Sequence, residues 1–547
     1  MAKYMIIGGV AGGATAAARL RRRDEQAEII IFERGAHVSF ANCGLPYYVG
    51  DVIGQRGSLL LQTPESLQAR FQLDVRIHSE VVSVDPVKKV IRVISKDRGE
   101  YEESYDKLLL SPGAQPIKPP IPGIENPRIL ILRNVLDADR LKEAVQKNAK
   151  KAIVVGGGFI GIEVAENLRH AGLDVTLMEA APHILAPFDE DMVIPLENEL
   201  RKHGIRLILQ DGVQSFVSHA EEIEVTLASG SKESADFVVL AIGVRPDTKF
   251  LQGSGIALGA RGHILVDEFL QTNQADIYAV GDAVETFSFQ SGKRMAVPLA
   301  GPANRQGRLV ADTMYGEPVK YKGVLGTAIL KIFSLTAAAT GSNERLLMQE
   351  NIPFQKVMLH PGSHAGYYPG AVPITLKLLF APDGKILGAQ AFGAEGIDKR
   401  IDVIATVLRM GGNVEDLMDL ELAYAPPYSS AKDPVNMAAY LAQNILHGLS
   451  DEIPAATLAA ELEKGAVLVD VRTAMEYQSG HFSAAIHIPV DELRSRLTEL
   501  DRQVPVIVYC KVGLRGYIAL RILQQNGYQV KNISGGYTAF LQQQPLK

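Results

Sequence analysis

A chain of 547 residues is long enough for roughly two to four domains. Its 47% hydrophobic and 22% charged residues are typical of a globular protein with a sizeable core. A net charge of −6 excludes a broad nucleic-acid-binding surface, and two cysteines exclude a disulfide framework, which favours a cytoplasmic location. We expect neither a signal peptide nor a membrane span, because the sequence has no basic start before an apolar run and no apolar stretch of about eighteen residues.

The first predicted element is a nucleotide-binding unit. Residues 4–23, YMIIGGVAGGATAAARLRRR, read as an apolar strand, a glycine turn and an alanine-rich helix. Gly8 and Gly13 match the outer glycines of the G-x-G-x-x-G fingerprint, whereas Val10 replaces the middle one. Glu33 ends the next strand, EIIIFE, where an acidic side chain can bind a ribose hydroxyl. The unit therefore departs from the G-x-G-x-x-G fingerprint, and its assignment to nucleotide binding needs further evidence from elsewhere in the chain.

One of the two cysteines follows directly, in SFANCGLPYY. Cys43 cannot close a local disulfide, because the residues four and five positions before it are Ser39 and Val38. The next cysteine is Cys510. An isolated cysteine is usually a small buried hydrophobe, but a place just after a nucleotide-binding unit favours a reactive thiol.

Residues 151–172, KAIVVGGGFIGIEVAENLRHAG, repeat the strand, turn and helix. Gly156, Gly158 and Gly161 match the complete fingerprint, whose glycines permit the tight turn, the approach of a pyrophosphate and close helix packing. Glu179 ends the following strand and would repel a 2′-phosphate, so NADH is expected rather than NADPH. Two such units predict parallel sheets and two nucleotide sites in one enzyme.

The remaining segments divide the chain. The proline- and glycine-rich stretch 111–123 is typical of a crossover between lobes, and AIGVRPDT (241–248) of the return. From about 325 to 445 the pattern of strands and helices is mixed and lacks a glycine fingerprint. Residues from about 454 to the end form a unit of domain size.

The second cysteine ends the predicted strand VIVY and begins the loop CKVGLRG, which leads into a helix. The backbone N–H groups of such a loop, with the helix N-terminus, stabilise a thiolate or persulfide anion at Cys510. Lys511 and Arg515 add positive charge. The strand end DVR, with Asp470 and Arg472, resembles that of rhodanese domains, and the resemblance implies a structural or loop-orienting role for both residues.

Together the glycine turns and the later segment TNQADIYAVGDA resemble the pyridine nucleotide-disulfide oxidoreductase superfamily. In its second flavin motif an aspartate, here Asp282, holds the ribityl chain. The resemblance implies FAD at the first unit and NADH, or with less preference NADPH, at the second. The cofactor-binding residues that it implies are Gly8, Gly9, Val10, Gly12, Gly13, Glu33, Arg34, Asn42, Gly113, Gly156, Gly158, Phe159, Ile160, Gly161, Glu163, Glu179, Gly243, Gly281, Asp282, Ala283, Pro298, Leu299 and Ala300.

SFANCGLPYY is similar to the single-cysteine branch of that superfamily, which contains coenzyme A disulfide reductase, NADH oxidase and NADH peroxidase. In this branch the cysteine thiolate attacks a sulfur or oxygen electrophile. Reduced flavin then breaks the new bond, and NADH reduces the flavin again. The resemblance makes Cys43 the catalytic thiol.

The basic end of the first helix has two interpretations. Arg19, Arg22 and Arg23 share one helical face, which for a charge run is usually a solvated face. In coenzyme A disulfide reductases, however, the matching helix holds coenzyme A phosphates. Phe71 stands where that family can have a lysine. The residues implied for coenzyme A, as a retained ligand or a substrate carrier, are Thr15, Arg19, Arg22, Arg23, Ser39, Phe40, Asn42, Arg70, Phe71, Asn304, Arg308, Tyr428 and Lys432.

Two later segments, SHAGYYPGA and AYAPPYSSAKDPVN, contain tyrosines. In the relatives, tyrosines of such segments cross a dimer interface toward the partner's cysteine, where a phenol can donate a proton to a leaving thiolate. Tyr367 and Tyr424 are the implied catalytic tyrosines, with Tyr368 and Tyr428 as alternatives. Packing at an interface or in the core is the other interpretation. A homodimer follows from the resemblance, and a dimer of dimers is compatible with it.

The C-terminal segment resembles a rhodanese domain, with Cys510 and Arg515 in its active loop. The implied fold is α/β, with two Rossmann-like dinucleotide-binding domains for FAD and NADH, an α+β dimerisation domain and a C-terminal α/β rhodanese domain. The implied boundaries are 1–115 with 246–324 for FAD, 116–245 for NAD, 325–445 for dimerisation, 446–453 for a linker and 454–547 for rhodanese.

Taken whole, the chain resembles bacterial fusions of a coenzyme A disulfide reductase with a rhodanese domain that reduce persulfides and polysulfide. The implied activity uses NADH and FAD to reduce a persulfide, polysulfide or coenzyme A persulfide and releases hydrogen sulfide. Cys43 attacks the substrate, and Cys510 carries sulfane sulfur. The alternatives are a coenzyme A disulfide reductase with an auxiliary rhodanese domain and a sulfur-delivery module. We expect no metal site, nucleic acid or membrane partner.

Overall fold

The computed structural model describes residues 2–546. Contacts divide the chain into two compact units. The first comprises residues up to 184 together with Gly204–Gly326, and the second comprises Leu185–His203 together with the chain from Thr327 onward. Within the described residues, no helix has both the length and the apolarity needed to cross a membrane.

The first unit begins with a five-stranded parallel sheet. Its central strands are almost completely buried and apolar, as expected where helices cover both faces of a sheet. Helices Ala11–Arg23 and Ala300–Tyr315 pack on each other and contribute Leu20 and Val310 to the same core. The strands pair in the order Ile277–Ala279, Lys107–Leu110, Lys3–Ile7, Glu28–Phe32 and Asp74–Arg76.

A second parallel sheet in this unit repeats the plan. Helix Phe159–His170 follows the glycine turn and packs on the sheet. The chain enters and leaves this region through an antiparallel pair, Ala114–Pro116 with Val244–Pro246. The strands pair in the order Arg206–Leu209, Asp174–Glu179, Lys151–Val155, Phe237–Leu240 and Ile129–Leu130.

Smaller elements complete the first unit. The three-stranded sheets are Ser79–Asp85, Val90–Ser95 and Gly99–Ser104; Val213–Ser218, Ile223–Leu227 and Lys232–Ala235; and Ile264–Leu265, Val284–Phe287 and Arg294–Met295. The remaining α-helices are Leu45–Val49, Pro64–Phe71 and Val135–Gln146, and the 3-10 helices are Asn42–Gly44, Arg56–Leu59, Lys249–Leu251 and Gly281–Ala283.

The second unit contains a five-stranded antiparallel sheet. Its inner strands Ile374–Phe380 and Ile386–Gly393 are buried at every position, because helices Ile397–Arg409 and Pro434–Leu446 pack on the sheet. Helix Glu190–Lys202 also contacts this sheet, although its sequence lies within the range predicted for NAD binding. The strands pair in the order Ala328–Ile332, Leu335–Gly341, Ile386–Gly393, Ile374–Phe380 and Gln355–Leu359; helices Glu344–Gln349 and Val414–Met418 complete this part.

The C-terminal part of this unit is a parallel sheet with helices. The strand Val506–Tyr509 lies at its centre and is completely buried, so the residue that follows it is held firmly. The strand order is Glu452–Ile453, Val530–Ile533, Val506–Tyr509, Val467–Asp470 and Ile486–His487; the helices are Leu458–Glu463, Ala474–Gln478, Val490–Leu493, Leu514–Gln525 and Gly536–Gln542, with 3-10 turns at Ala455–Thr457 and Leu497–Glu499.

The predicted fold class is confirmed: two parallel nucleotide-type sheets precede a mixed antiparallel part and a C-terminal α/β part. The residue boundaries of the four domains stay predictions.

Candidate active site

The first glycine turn leaves no space for side chains at its two outer glycines. A Cβ at Gly8, where φ is +94°, would lie 2.0 Å from the Ser111 carbonyl oxygen, and one at Gly13 would lie 1.9 Å from the Gly8 oxygen. Val10 is accommodated because it is the N-cap of the following helix and its φ is −106°. The missing middle glycine therefore does not prevent the turn from forming.

Glu33 directs its carboxylate into the same turn. Its Oε2 accepts a hydrogen bond from the Gly9 backbone at 3.1 Å, and its Oε1 accepts one from Gly35 at 2.8 Å. An acidic side chain fixed beside a glycine turn fits the ribose of a dinucleotide. Arg34, by contrast, pairs with Asp247 at 2.6 Å.

The second turn has the same steric logic. Cβ atoms at Gly156 and Gly161 would lie 2.4 Å and 1.9 Å from backbone oxygens, whereas one at Gly158 would meet nothing within 4 Å. The open side at Gly158 is where the fingerprint lets a pyrophosphate approach the backbone. Glu179 accepts hydrogen bonds from the Gly157 and Ala181 backbone at 2.7 and 2.8 Å. Both turns thus fit dinucleotides.

Cys43 lies in the 3-10 turn Asn42–Gly44, immediately before helix Leu45–Val49, and one side of it is exposed. Partial removal from water raises the pKa of its thiol, and the carboxylates of Glu163 and Asp282 raise it further. The neighbouring Asn42 Oδ1 is buried and, among the described residues, lacks a hydrogen-bond partner. An orphaned acceptor beside a thiol and two carboxyl groups fits a bound polar cofactor.

A tyrosine that we did not predict joins this group. The Tyr47 hydroxyl donates to Glu163 Oε1 at 3.4 Å. Burial raises the pKa of Glu163 to about 7 and that of Tyr47 to about 12. Glu163 can therefore hold or release a proton near neutral pH in the neighbourhood of Cys43. The YY pair in SFANCGLPYY was the available signal, but its reach to Glu163 is a tertiary contact.

The segment predicted to meet the flavin ribityl chain is a 3-10 turn, Gly281–Ala283. Its first N–H donates to Gln306 at 2.8 Å. Burial raises the pKa of Asp282, and Arg133 opposes that rise. The other predicted cofactor residues lie at turns and helix starts of this unit: Gly12, Gly113, Phe159, Ile160, Gly243, Pro298, Leu299 and Ala300.

The arginines predicted to bind coenzyme A are partly engaged inside the protein. Arg19 donates to both oxygens of Asp312, at 2.9 and 3.2 Å, and Arg23 pairs with Asp312 and with Glu317. Arg22 is exposed. These ion pairs join the first helix to Ala300–Tyr315, an arrangement that neither sequence interpretation included.

Other residues of the coenzyme A set take varied positions. Thr15 donates to Asn304 Oδ1 at 2.6 Å. Ser39 has a φ of +45°, and Phe40 forms a bridge with Leu60. Arg70 and Phe71 end helix Pro64–Phe71, and Arg308 is exposed on Ala300–Tyr315. The ligand role of this set stays a prediction.

In the second unit the two predicted catalytic tyrosines form a pair. The hydroxyls of Tyr367 and Tyr424 lie 2.6 Å apart, and this hydrogen bond raises the pKa of Tyr367. Tyr368, Tyr428 and Lys432 are also exposed. Exposed, mutually hydrogen-bonded phenols are unusual as isolated surface groups, and they suit a surface that another molecule covers.

Cys510 is 1% exposed and begins a formed loop. The Gly513 N–H points at its Sγ, at 3.2 Å, which stabilises negative charge on the sulfur. The carbonyls of Cys510 and Lys511 accept hydrogen bonds from the backbone N–H groups of Tyr537 and Thr538, at 2.8 and 2.9 Å. Helix Gly536–Gln542 therefore holds the loop in place.

A buried hydrogen-bond network fixes the strand end that precedes this loop. Arg472 donates to both oxygens of Asp470, with a shortest distance of 2.6 Å. The hydroxyl of Tyr509, the residue before Cys510, donates to the same carboxylate at 2.6 Å. The loop-orienting role assigned to Asp470 and Arg472 matches these contacts, whereas Tyr509 was missed.

Arg515 forms a bidentate pair with Glu476. Nη1 and Nη2 each donate to a different carboxylate oxygen at 2.7 Å. Glu476 was missed because it lies 39 residues away, in helix Ala474–Gln478.

Comparison with known proteins places these sites in a family. A family model described as pyridine nucleotide-disulphide oxidoreductase matches residues 2–307, its dimerisation domain matches 327–434, and a rhodanese-like domain matches 454–543. The chain therefore belongs to the pyridine nucleotide-disulphide oxidoreductases, flavoenzymes that use FAD and NAD(P)H. The superfamily resemblance is confirmed, including the C-terminal rhodanese part.

Particular relatives are similar over most or all of the chain. A coenzyme A disulfide reductase of Staphylococcus epidermidis is 37% identical over 81% of this chain and 100% of its own. The structure of Bacillus anthracis CoADR-RHD has a TM-score of 0.97 and 47% identity, covering 99% of this chain and 98% of that one. An NAD-dependent persulfide reductase from A. fulgidus has a TM-score of 0.93 and 36% identity, covering 98% and 100%.

Proposed function

We propose that this protein is an FAD-dependent NADH:persulfide reductase that acts on persulfides, polysulfide or coenzyme A persulfide. The observation that carries the proposal is the formed Cys510 loop, with a backbone N–H on the sulfur, in the same chain as the Cys43 flavoenzyme site. A sulfur-carrying loop serves a reductase of sulfane sulfur, whereas reduction of peroxide or oxygen has no use for one. The likeness to a persulfide reductase over nearly the whole chain supports the same assignment.

The net reaction is RSSH + NADH → RSH + HS⁻ + NAD⁺. The Cys43 thiolate attacks the inner sulfur of RSSH, so that the S–S bond breaks, HS⁻ leaves and a Cys43–S–S–R mixed disulfide forms. FAD, which the first glycine turn and Glu33 would hold, would supply the two electrons taken from NADH. Two-electron reduction of the mixed disulfide returns the Cys43 thiolate and gives RS⁻. A proton then converts RS⁻ to RSH.

The residues of this chain have separate roles in that reaction. The glycine turns with Glu33 and Glu179 bind the dinucleotides, and Glu179 favours NADH over NADPH. Tyr367 and Tyr424 provide phenols for proton donation to the leaving thiolate. Cys510 accepts sulfane sulfur as Cys510–S–S⁻ and passes it to coenzyme A or to Cys43.

We further propose a homodimer in which the tyrosine pair of one protomer serves the Cys43 site of its partner, with assembly into a dimer of dimers. The match of residues 327–434 to a dimerisation domain supports the dimer. We propose a cytoplasmic location, because a reducing compartment keeps both cysteines as thiols.

A coenzyme A disulfide reductase is the second candidate function. The likeness to staphylococcal enzymes of that name over 81% of the chain favours it. In that case the rhodanese part is auxiliary, and coenzyme A is a substrate. A sulfur-delivery module, in which the flavoprotein only regenerates the Cys510 thiol, is the third.

The first prediction compares two serine variants. Anaerobic NADH oxidation is measured with polysulfide, coenzyme A persulfide and coenzyme A disulfide. Cys43→Ser should lower turnover of all three by roughly a thousandfold or more, because it removes the nucleophile. Cys510→Ser should lower turnover with polysulfide and leave that with coenzyme A disulfide intact.

The outcomes separate the candidates. Full turnover by Cys43→Ser with any substrate contradicts the proposed mechanism. A strong preference for coenzyme A disulfide, unaffected by Cys510→Ser, favours the second candidate. Coenzyme A released on denaturing the purified protein would identify it as a retained ligand.

A further inference from the structure

The positive charge of Arg515, at the end of the Cys510 loop, is compensated by Glu476 on a neighbouring helix. Both terminal nitrogens of Arg515 are engaged by Glu476, each at 2.7 Å, in the parallel geometry that gives the strongest arginine–carboxylate pairs. Glu476 is itself fixed, because the Thr473 backbone N–H and hydroxyl each donate to its Oε2 at 3.0 Å. The guanidinium is therefore not free to turn both nitrogens toward an incoming anion.

Arg515 nevertheless lies in the electrostatic field of the thiol. Its pKa is raised first by the hydrogen bonds to Glu476 and then by the neighbouring Cys510. The pKa of Glu476 is lowered to about 2, chiefly by Arg515, so the pair is charged at any physiological pH. Cys510 thus has beside it a cation whose charge is already balanced.

This balance bears on which sulfur donors can reach Cys510. Transfer from a persulfide is RSS⁻ + Cys510–S⁻ → RS⁻ + Cys510–S–S⁻. Transfer from thiosulfate is S₂O₃²⁻ + Cys510–S⁻ → SO₃²⁻ + Cys510–S–S⁻. The second encounter brings one more negative charge into the loop, and an arginine with both terminal nitrogens occupied compensates it poorly.

We infer that Glu476 is a specificity-determining residue, which positions Arg515 so that the Cys510 loop accepts monoanionic persulfides in preference to dianionic donors such as thiosulfate. The inference rests on the proposed role of Cys510 as a sulfur acceptor. It goes further by assigning the class of donor and the residue that selects it.

The test measures sulfur transfer to cyanide by the full-length holoenzyme, Cys510–S–S⁻ + CN⁻ → Cys510–S⁻ + SCN⁻. The donors are thiosulfate and glutathione persulfide, and the readout is the ratio of their kcat/KM values. Glu476→Gln removes the compensating charge and should raise the thiosulfate-to-persulfide ratio roughly tenfold. The increase should shrink as ionic strength rises, because salt screens a partly exposed charge.

Two control variants separate selectivity from general effects. Glu476→Asp keeps the charge and should leave the ratio near the wild-type value. Glu499→Gln makes the same change of net charge and breaks another bidentate pair, the one with Arg496, so its ratio should not move.

An unchanged ratio in folded Glu476→Gln overturns the inference. If that variant does not fold, Glu476→Ala decides, since it removes the same charge with a residue of high helix propensity; its ratio should rise, and an unchanged ratio overturns the inference as well. If wild type transfers sulfur from neither donor, the proposed role of Cys510 fails and the role of Glu476 fails with it. If wild type transfers sulfur from persulfide but the variants leave the thiosulfate-to-persulfide ratio unchanged, only the selectivity role of Glu476 is refuted.

Discussion

At the scale of single residues, the reactivity of Cys43 depends on a carboxyl group whose charge changes near neutral pH. Glu163 raises the pKa of the Cys43 thiol, and its own pKa is raised to about 7 by burial. Below that pH the carboxyl is neutral and does not disfavour the thiolate; above it the carboxylate does. Glu163→Gln should therefore leave Cys43 reactivity unchanged at pH 6 and increase it at pH 8, because the amide never acquires the charge.

The measurement is the rate of alkylation of Cys43 in oxidised holoenzyme between pH 6 and 9, followed by mass spectrometry of the peptide. Tyr47→Phe is the matched control, since it keeps the carboxylate and removes the hydroxyl that lowers the pKa of Glu163. In this variant the carboxylate should begin to suppress the reactivity of Cys43 at a higher pH than in wild type. Equal rates for wild type and Glu163→Gln at pH 8 would show that the carboxylate has no influence on the thiol.

The residues that the sequence predicted best are those whose requirement is local. The backbone oxygen that excludes a side chain lies in the same turn for Gly13 and Gly161, and at the end of the adjoining strand for Gly8 and Gly156. The glycine fingerprint records this requirement. Partners brought together by folding left no such signal. Asp312, 293 residues from Arg19, is the clearest case, because any acidic residue on any nearby helix could have played its part.

At the scale of elements, different glycines of the second turn serve folding and nucleotide binding. A methyl group at Gly161 would lie 1.9 Å from the Gly156 oxygen, so Gly161→Ala should force the helix off the strand and cost about 1–3 kcal/mol of unfolding free energy. Gly158→Ala meets nothing within 4 Å and should cost at most about 1 kcal/mol, as a change at an N-cap.

Gly158→Ala should impair NADH binding with little loss of stability, whereas Gly161→Ala should chiefly lower stability. Gly158→Ala adds its methyl group where the pyrophosphate approaches the backbone, so its KM for NADH should rise while its thermal unfolding temperature stays close to wild type. Gly161→Ala should lower that temperature by several degrees. Equal losses of stability in the two variants would contradict the steric argument.

A helix can pack in a different unit of the fold from the strands that precede and follow it in sequence. Helix Glu190–Lys202 lies within the range 116–245 predicted for NAD binding, and it follows the nucleotide-type strand Asp174–Glu179 in sequence. Its buried face, with Met192 and Leu196, packs in the unit that contains the antiparallel sheet. Periodicity predicts that a helix has an apolar face, but it does not say which sheet that face covers.

At the scale of the whole molecule, a buried charge cluster fastens that helix segment within the second unit. Lys377 is completely buried and pairs with Asp189 at 2.9 Å, Asp191 at 2.6 Å and Glu344. The three carboxylates have ligand oxygens within 4.8 Å of one another, the spacing of a metal site, but the Lys377 ammonium lies among them. We assign the cluster to stability, and not to catalysis.

Lys377→Met should destabilise this unit by roughly 3–5 kcal/mol at neutral pH, because it leaves the buried Asp189 carboxylate without its counter-charge. Glu344 and Asp191 keep Lys356, at 2.7 and 3.9 Å. Burial already raises the pKa of Asp189 in wild type, and Lys377 opposes that rise. Without the lysine the folded-state pKa of Asp189 rises further above its unfolded value. The carboxyl is then tolerated when protonated, so the variant should be closest to wild type at low pH and should lose stability as pH rises.

Unfolding midpoints in urea at pH 5 and pH 8 measure this directly, with circular dichroism as the signal. Lys464→Met, which removes an exposed partner of Glu461 in the same unit, is the control and should change little at either pH. An equal loss for Lys377→Met at both pH values would mean that lost packing outweighs charge. A loss confined to pH 8 would show that ion pairing between Leu185–His203 and the antiparallel sheet holds the unit together.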